Sequence, residues 1–251
     1  MKIYFACDYE FGNNLYKYGV DAILQSFYYL RNNELPKDKY KYYLIDSGGF
    51  SILHKGARIN VYDYAYFLNK NNIKVCFNLD TFNMEESIKN QKILEKETNS
   101  HIIPVYHYFD YINSNTRGIL KEWIEEYKYI GLGGISSEKS KRKKNLLKFF
   151  DYCYGVNNNK ALFHGFGITS DYLLERYPFL SVDSTSWQRP IRYCESKKYG
   201  YGSKLNKSIR MRKRGERIDC DIKCYLYKET IFTKIWEGRG IKYDERQYQY
   251  E

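Results

Sequence analysis

Short apolar or β-branched runs recur along the chain, each ending on a polar residue or glycine and each followed by a longer, more polar stretch of helical character. Seven stand out: KIYFACD (2–8), YYLIDSGG (42–49), VCFNLD (75–80), IIPVYH (102–107), YIGLGG (129–134), ALFHGFG (161–167) and FLSVDSTSW (179–187). Near-continuous apolar strands alternating with helices predict a parallel sheet built from βα units. The strand-terminal residues Asp46, Asp80, His107, Gly133, His164 and Asp183 follow one another at 34, 27, 26, 31 and 19 residues, which suits that repeat. Every unit carries its polar or glycine signature at the carboxyl end of the strand. That pattern favours a (β/α)8 TIM-type barrel, whose strand ends surround one mouth, over a doubly wound sheet that gathers ligand groups at one switch point. The eighth strand is not evident; it is expected within 218–233 (IDCDIKCYLYKETIFT), or the barrel is irregular and incomplete. Helices are expected over 20–31, where Ile23, Leu24, Phe27 and Leu30 fall at helical spacing, and over 62–68 and 119–127.

Residues 1–190 read as the barrel domain, and 191–251 as a basic C-terminal segment that completes or decorates it. Across the 251 residues 41 Lys and Arg face 30 Asp and Glu, a formal charge of +11 that points to a polyanionic partner. The excess is local: 197–217 holds nine Lys/Arg and one Glu. Lys204, Lys207, Arg210, Arg212, Lys213 and Arg214 are therefore candidates for a nucleic-acid-facing arm, the alternative being a solvated tail. The 29 Tyr fit an AT-rich codon bias, or a surface on which bases stack. No apolar run suits a signal peptide or several membrane spans, so a soluble, cytoplasmic protein with no membrane association is expected, its six Cys being free thiols.

Asp46, Asp80 and Asp183 each follow an apolar strand core, and Asp8 makes a fourth candidate. Burying a carboxylate costs free energy unless it is paired, hydrogen-bonded or used. The competing reading is local capping, because Asp46-Ser-Gly-Gly and Asp183-Ser-Thr-Ser also look like helix starts. The glycines of DSGGF (46–50), GLGG (131–134) and HGFG (164–167) would let a flat ligand approach the backbone. None is a GxGxxG or Walker loop, so a phosphate cradle is disfavoured. A planar heterocycle stacked among Tyr106, Phe166 or Phe50 and read by two Asp and a glycine backbone edge fits better.

These motifs resemble the tRNA-guanine transglycosylase superfamily, with DSGGF at a second barrel strand, GLGG at a fifth, a Gly-x-Gly end at a sixth and an Asp ending a seventh. PVYHY, YIGLGG, FHGFGITS and SVDSTSW together are most similar to the phage and bacterial DNA 7-deazaguanine transglycosylases, the DpdA family, over roughly residues 40–190. The resemblance implies a pentosyltransferase of queuosine-related chemistry that exchanges guanine in DNA for a 7-deazaguanine base such as 7-cyano-7-deazaguanine, without ATP or a redox cofactor. It makes Asp183 the nucleophile at C1′ and Asp46 the general acid/base. Asp80 would read the guanine N1/N2 edge, the Gly133–Gly134 backbone the O6 side, and Ser47 and Phe50 would line the same pocket. His107 and His164 stand where the tRNA enzymes carry Gln and Met, which implies a different reading of the base.

The chemistry agrees with that assignment. Base exchange with retention needs two displacements and a carboxylate nucleophile. A guanine leaving group needs a proton, which a carboxyl of raised pKa could supply, and the target base must leave its stack. The Cys-x-Cys-x-x-Cys zinc cluster of the tRNA enzymes is missing: Cys220 and Cys224 are the only close pair and no His follows His164. No metal or cofactor is therefore expected, a zinc site from Cys194, Cys220, Cys224 and a carboxylate being the alternative. This departure moves the expected substrate from tRNA towards DNA. Competing readings are a tRNA-guanine transglycosylase acting on RNA and a non-catalytic nucleic-acid-binding barrel. His54 and His101 show no partner pattern.

Overall fold

A computed structural model describes residues 1–30, 33–49, 56, 58–81, 83–134, 143–188 and 214–249. Nine strands are all parallel: β1 (Lys2–Ala6), β2 (Ala22–Ser26), β3 (Tyr42–Asp46), β4 (Val75–Phe77), β5 (His101–Ile103), β6 (Val105–His107), β7 (Tyr129–Gly133), β8 (Leu162–Gly165) and β9 (Ser181–Ser184). They lie in the order β5-β4-β3-β2-β1-β9-β8-β7-β6. The two ends of that order are neighbours in the chain. β5 and β6 flank Pro104, and one half pairs with β4 while the other pairs with β7. Counting 101–107 as one strand interrupted by proline, eight strands surround the axis in sequence order and form a nearly closed α/β barrel.

Around it run α1 (Tyr9–Gly12), α2 (Phe27–Leu30), α3 (Val61–Lys70), α4 (Met84–Glu97), α5 (Tyr108–Ile112), α6 (Ile119–Glu126), α7 (Lys143–Asn157), α8 (Asp171–Arg176), α9 (Arg214–Gly238) and α10 (Glu245–Tyr248). The helices expected over 62–68 and 119–127 are α3 and α6. Two expectations are overturned. Residues 20–31 are mainly strand β2 followed by the single turn α2, so β2 is the eighth strand that the sequence did not reveal. Its apolar run has two buried faces: Ala22 and Leu24 turn to the barrel interior and Ile23 to the outer layer, and with Phe27 and Leu30 they mimic a helical stripe. Residues 218–233 lie within α9, whose Ile222, Tyr225 and Phe232 enter the outer core at helical spacing. The motifs therefore sit one strand later than expected, with DSGGF on the third strand of the ring and Asp183 on the eighth.

Alternation along each strand sorts the side chains into two layers. Tyr4, Leu24, Tyr42, Leu44, Phe77, Val105 and Tyr129 fill the interior. Their neighbours Phe5, Ile23, Tyr106, Ile130, Leu132 and Val182 pack under the helices. Tyr106 is thus fully buried in the outer layer with its hydroxyl donating to the Arg117 carbonyl at 3.1 Å, which removes it from the rings that could stack a ligand at the mouth. The amino end of the barrel is closed. Tyr248 of α10 packs edge-on against Tyr42 at 5.6 Å, and the Tyr4 hydroxyl donates to the Tyr248 carbonyl at 3.4 Å. Beside them the Lys2 ammonium sits 2.8 Å from Glu229 and 3.0 Å from Asp21. Only the opposite end is left to form a site. No described helix is long and apolar enough to cross a membrane.

Candidate active site

The carboxyl ends of the strands bring most of the expected residues to one mouth. Asp46 ends β3, Ser47 follows it, Asp80 lies just beyond β4, His107 ends β6, Gly133 ends β7 with Gly134 next, and His164 and Asp183 sit on β8 and β9. Strand alternation directs 46, 107, 133, 164 and 183 to the interior side, because 45, 106, 132, 163 and 182 belong to the outer layer.

Two of the three carboxylates have a histidine. Asp80 Oδ2 lies 2.8 Å from His107 Nε2, and Asp80 Oδ1 accepts from the Ser47 hydroxyl at 3.1 Å. The other face of the same imidazole meets Asp110, with Nδ1 to Oδ2 at 3.6 Å, while the His107 backbone N–H donates to Asp110 Oδ2 at 2.9 Å. Burial opposes charge on His107, but hydrogen bonds to Asp110 and Asp80 outweigh it and push its pKa up to about 9. At neutral pH it is an imidazolium between two carboxylates. Asp183, almost fully buried, has a different arrangement: its Oδ1 lies 3.3 Å from His164 Nε2 and accepts the Gly167 N–H at 3.0 Å, and His164 Nδ1 lies 2.8 Å from the Ser181 hydroxyl. Gly167 supplies that donor from φ +68°, a conformation suited to glycine.

Asp46 is the third carboxylate, and its environment favours the neutral acid. Burial first, then the charges of Asp80 and Asp183, push its pKa up to about 8, against the opposing pull of the Gly48 and Ser47 backbone N–H groups. The proton is thus favoured on Asp46, beside two carboxyl groups that each meet a histidine. Across the β2–β3 ladder Ser26 is in register with Asp46, and its buried hydroxyl has no hydrogen-bond partner among the described residues.

Two glycines of GLGG serve side chains. A Cβ on Gly133 would stand 2.9 Å from the His107 ring, and one on Gly131 would stand 2.7 Å from Phe166. Their bare faces make room for the imidazole and for a ring that packs 4.4 Å from Phe77. Phe166 remains an interior aromatic at this end. Asp8 takes the local capping role: it is exposed and accepts the Phe11 N–H at the start of α1. Phe50, His54, Cys194, Lys204, Lys207, Arg210, Arg212 and Lys213 lie outside the described residues, as does the side chain of Arg214, whose backbone opens α9. Among the described residues no three His, Cys, Asp or Glu side chains are grouped to hold a metal ion.

Sequence reasoning missed Asp110, Ser181 and the Gly167 N–H. The first could have been read from His107-x-x-Asp110, the spacing of a helix capping box, which the structure contains. Ser181 stands two residues before Asp183 on one strand, hence on the same face. No protein-family model matches the chain, and no curated protein matches it in sequence. The fold and site together define an α/β barrel with a carboxylate-rich mouth.

Proposed function

We propose that this barrel is a base-exchange transglycosylase that replaces guanine in DNA by a 7-deazaguanine base through a covalent aspartyl-glycosyl intermediate. The observation that carries the reading is the division of labour among three carboxylates: Asp80 and Asp183 are each bonded to a histidine, while Asp46 holds a proton with its pKa near 8. A nucleophile and a proton donor of unequal pKa are what displacement of a purine from C1′ requires.

In this mechanism an Asp183 oxygen attacks C1′ as the bond to guanine N9 breaks, and Asp46 gives its proton to the departing base. The products of that step are a glycosyl ester on Asp183 and a carboxylate on Asp46. The incoming 7-deazaguanine loses its N9 proton to Asp46 as N9 attacks C1′, which releases Asp183 and restores the acid. Two inversions give retention. Asp80 keeps acceptor capacity beside its bonds to Ser47 and His107, and suits the paired N–H donors on the N1/N2 edge of either base. The net charge of +11 favours a polyanionic substrate.

The test is incubation of the purified protein with labelled 7-cyano-7-deazaguanine and either DNA or tRNA. Label in DNA is expected. Label in tRNA alone would move the substrate to RNA, and no label in either would leave a nucleic-acid-binding barrel without this activity.

A further inference from the structure

Beneath the mouth, one imidazole bridges two alternate residues of a neighbouring strand. His164 on β8 is in register with Ser181 on β9, and its two nitrogens reach Ser181 Oγ at 2.8 Å and Asp183 Oδ1 at 3.3 Å. The His164 side chain is only 1% exposed, whereas that of Asp183 is 10% exposed. Phe77 and Phe166 pack on the imidazole at 4.8 Å each, and Tyr4 meets it edge-on at 6.1 Å. A base entering the mouth meets Asp183 before it could meet His164, so direct base recognition does not account for this histidine.

We infer that His164, held by Ser181, is a positioning residue for Asp183, orienting it as a charged nucleophile and easing its later departure; this rests on Asp183 being the nucleophile. The geometry assigns the roles. Both donors, Gly167 N–H and His164 Nε2–H, converge on Oδ1, which leaves Oδ2 to carry the attack. A Ser181 hydroxyl donating to Nδ1 fixes the tautomer that has its hydrogen on Nε2. When the ester forms on Oδ2, Oδ1 becomes its carbonyl oxygen. When the ester breaks, the electron pair of the C1′–O bond returns to the carboxylate, and the same two donors meet the restored charge. No proton needs to leave His164 in either step.

Among the described residues, the titratable and charged groups shown around this unit are these. Asp183 faces His164 from β8 and the Asp46 carboxyl from β3, while His164 faces Ser181, Asp183 and the Tyr4 phenol from β1.

The experiment compares wild type, His164→Leu and Ser181→Ala by two readouts. The first is the chemical shift of the Asp183 carboxyl carbon by NMR in 13C-labelled protein, which needs no turnover. The second is kcat and KM for the base across pH. His164→Leu is expected to move that carboxyl resonance, because it removes one of the two donors that converge on Oδ1. It should also lower kcat by about 10–100-fold, the kinetic equivalent of one charge-assisted hydrogen bond, with KM nearly unchanged. Ser181→Ala, which removes a single hydroxyl and tests the unit even if the leucine variant folds poorly, should shift both in the same direction by less. Ser181→Thr should restore them. An unmoved carboxyl resonance, or a raised KM at unchanged kcat, would overturn the inference. Turnover that survives Asp183→Asn would instead remove the nucleophile reading, so the two failures are distinguishable.

Discussion

At the amino end of the barrel the Lys2 ammonium lies between Glu229 and Asp21 and the terminal amine donates to the Thr233 hydroxyl, whereas at the mouth Asp80 and Asp183 each meet a histidine and Asp46 stands beside them. Both ends hold charge in poorly hydrated surroundings. The closed end matches its acids with a lysine and covers them with Tyr248, an arrangement suited to holding the helix α9 against β1. At the mouth, among the described residues, Asp80 and Asp183 meet imidazoles instead, and the Asp46 carboxyl beside them is pushed towards its neutral form. A fixed cation serves stability; a retained proton can be transferred.

Substitutions should separate these two ends. The largest effect is expected from Asp183→Asn, which should lower base exchange by about 10³-fold or more while Tm stays within about 2 °C of wild type. Comparable losses of activity and Tm would mean that the mouth is structural after all. Lys2→Met should do the reverse. Leaving Glu229 buried without its cation should cost roughly 3 kcal/mol in a denaturant titration, with activity per folded molecule unchanged.

The pH dependence refines the comparison. His107 has its pKa raised from 6.5 to about 9 in the folded chain, so its contribution is fully present below pH 6.5 and is lost as pH rises through about 9. The stability gap between wild type and His107→Gln should therefore narrow by about 3 kcal/mol between pH 6 and 9.5. A constant gap over that range would show that the imidazole is not charged between Asp80 and Asp110. Asp46 has the same sign, because its folded-state pKa is raised as well. Its folded-state pKa lies near 8 against an ordinary 3.8, so the unfolded chain loses this proton first and stability drains away as pH climbs through that window. Asp46→Asn should accordingly gain on wild type by about 4–5 kcal/mol at pH 8 relative to pH 4. Identical denaturation midpoints for the pair at both pH values would contradict the raised pKa.

Seven of the strand positions were legible because each apolar run ends in a residue that a core rejects, such as Asp46 after Ile45 or Asp183 after Val182. β2 ends instead on Ser26, and its flanking Phe27 and Leu30 complete a helical spacing, so local pattern and tertiary placement disagreed there. The helical run in 218–233 was obscured by its Cys, Tyr, Ile and Thr content, and packing of Ile222, Tyr225 and Phe232 on the barrel overrides that preference. The carboxylates of the site were legible for the same reason as the strands. Their partners were not, because pairs such as His107 with Asp80, or His164 with Ser181, depend on the register between strands that are distant in the chain. The glycines of GLGG illustrate the point: sequence shows that side chains are missing, but only the fold shows that Phe166 and His107 fill the space.

Pro104 gives the barrel a seam. β4 bonds to the half of the interrupted strand before the proline and β7 to the half after it, and on the β4 side the Asn78 N–H still reaches the Ile103 carbonyl. Further up, the contact between the two sides is made by Asp80 and His107, 2.8 Å apart. That pair is a staple across the place where the backbone ladder changes partners. On the proposed reading, any replacement at position 107 that retunes the choice of base also alters how firmly the ring is held shut, so selectivity and barrel closure are inherited together.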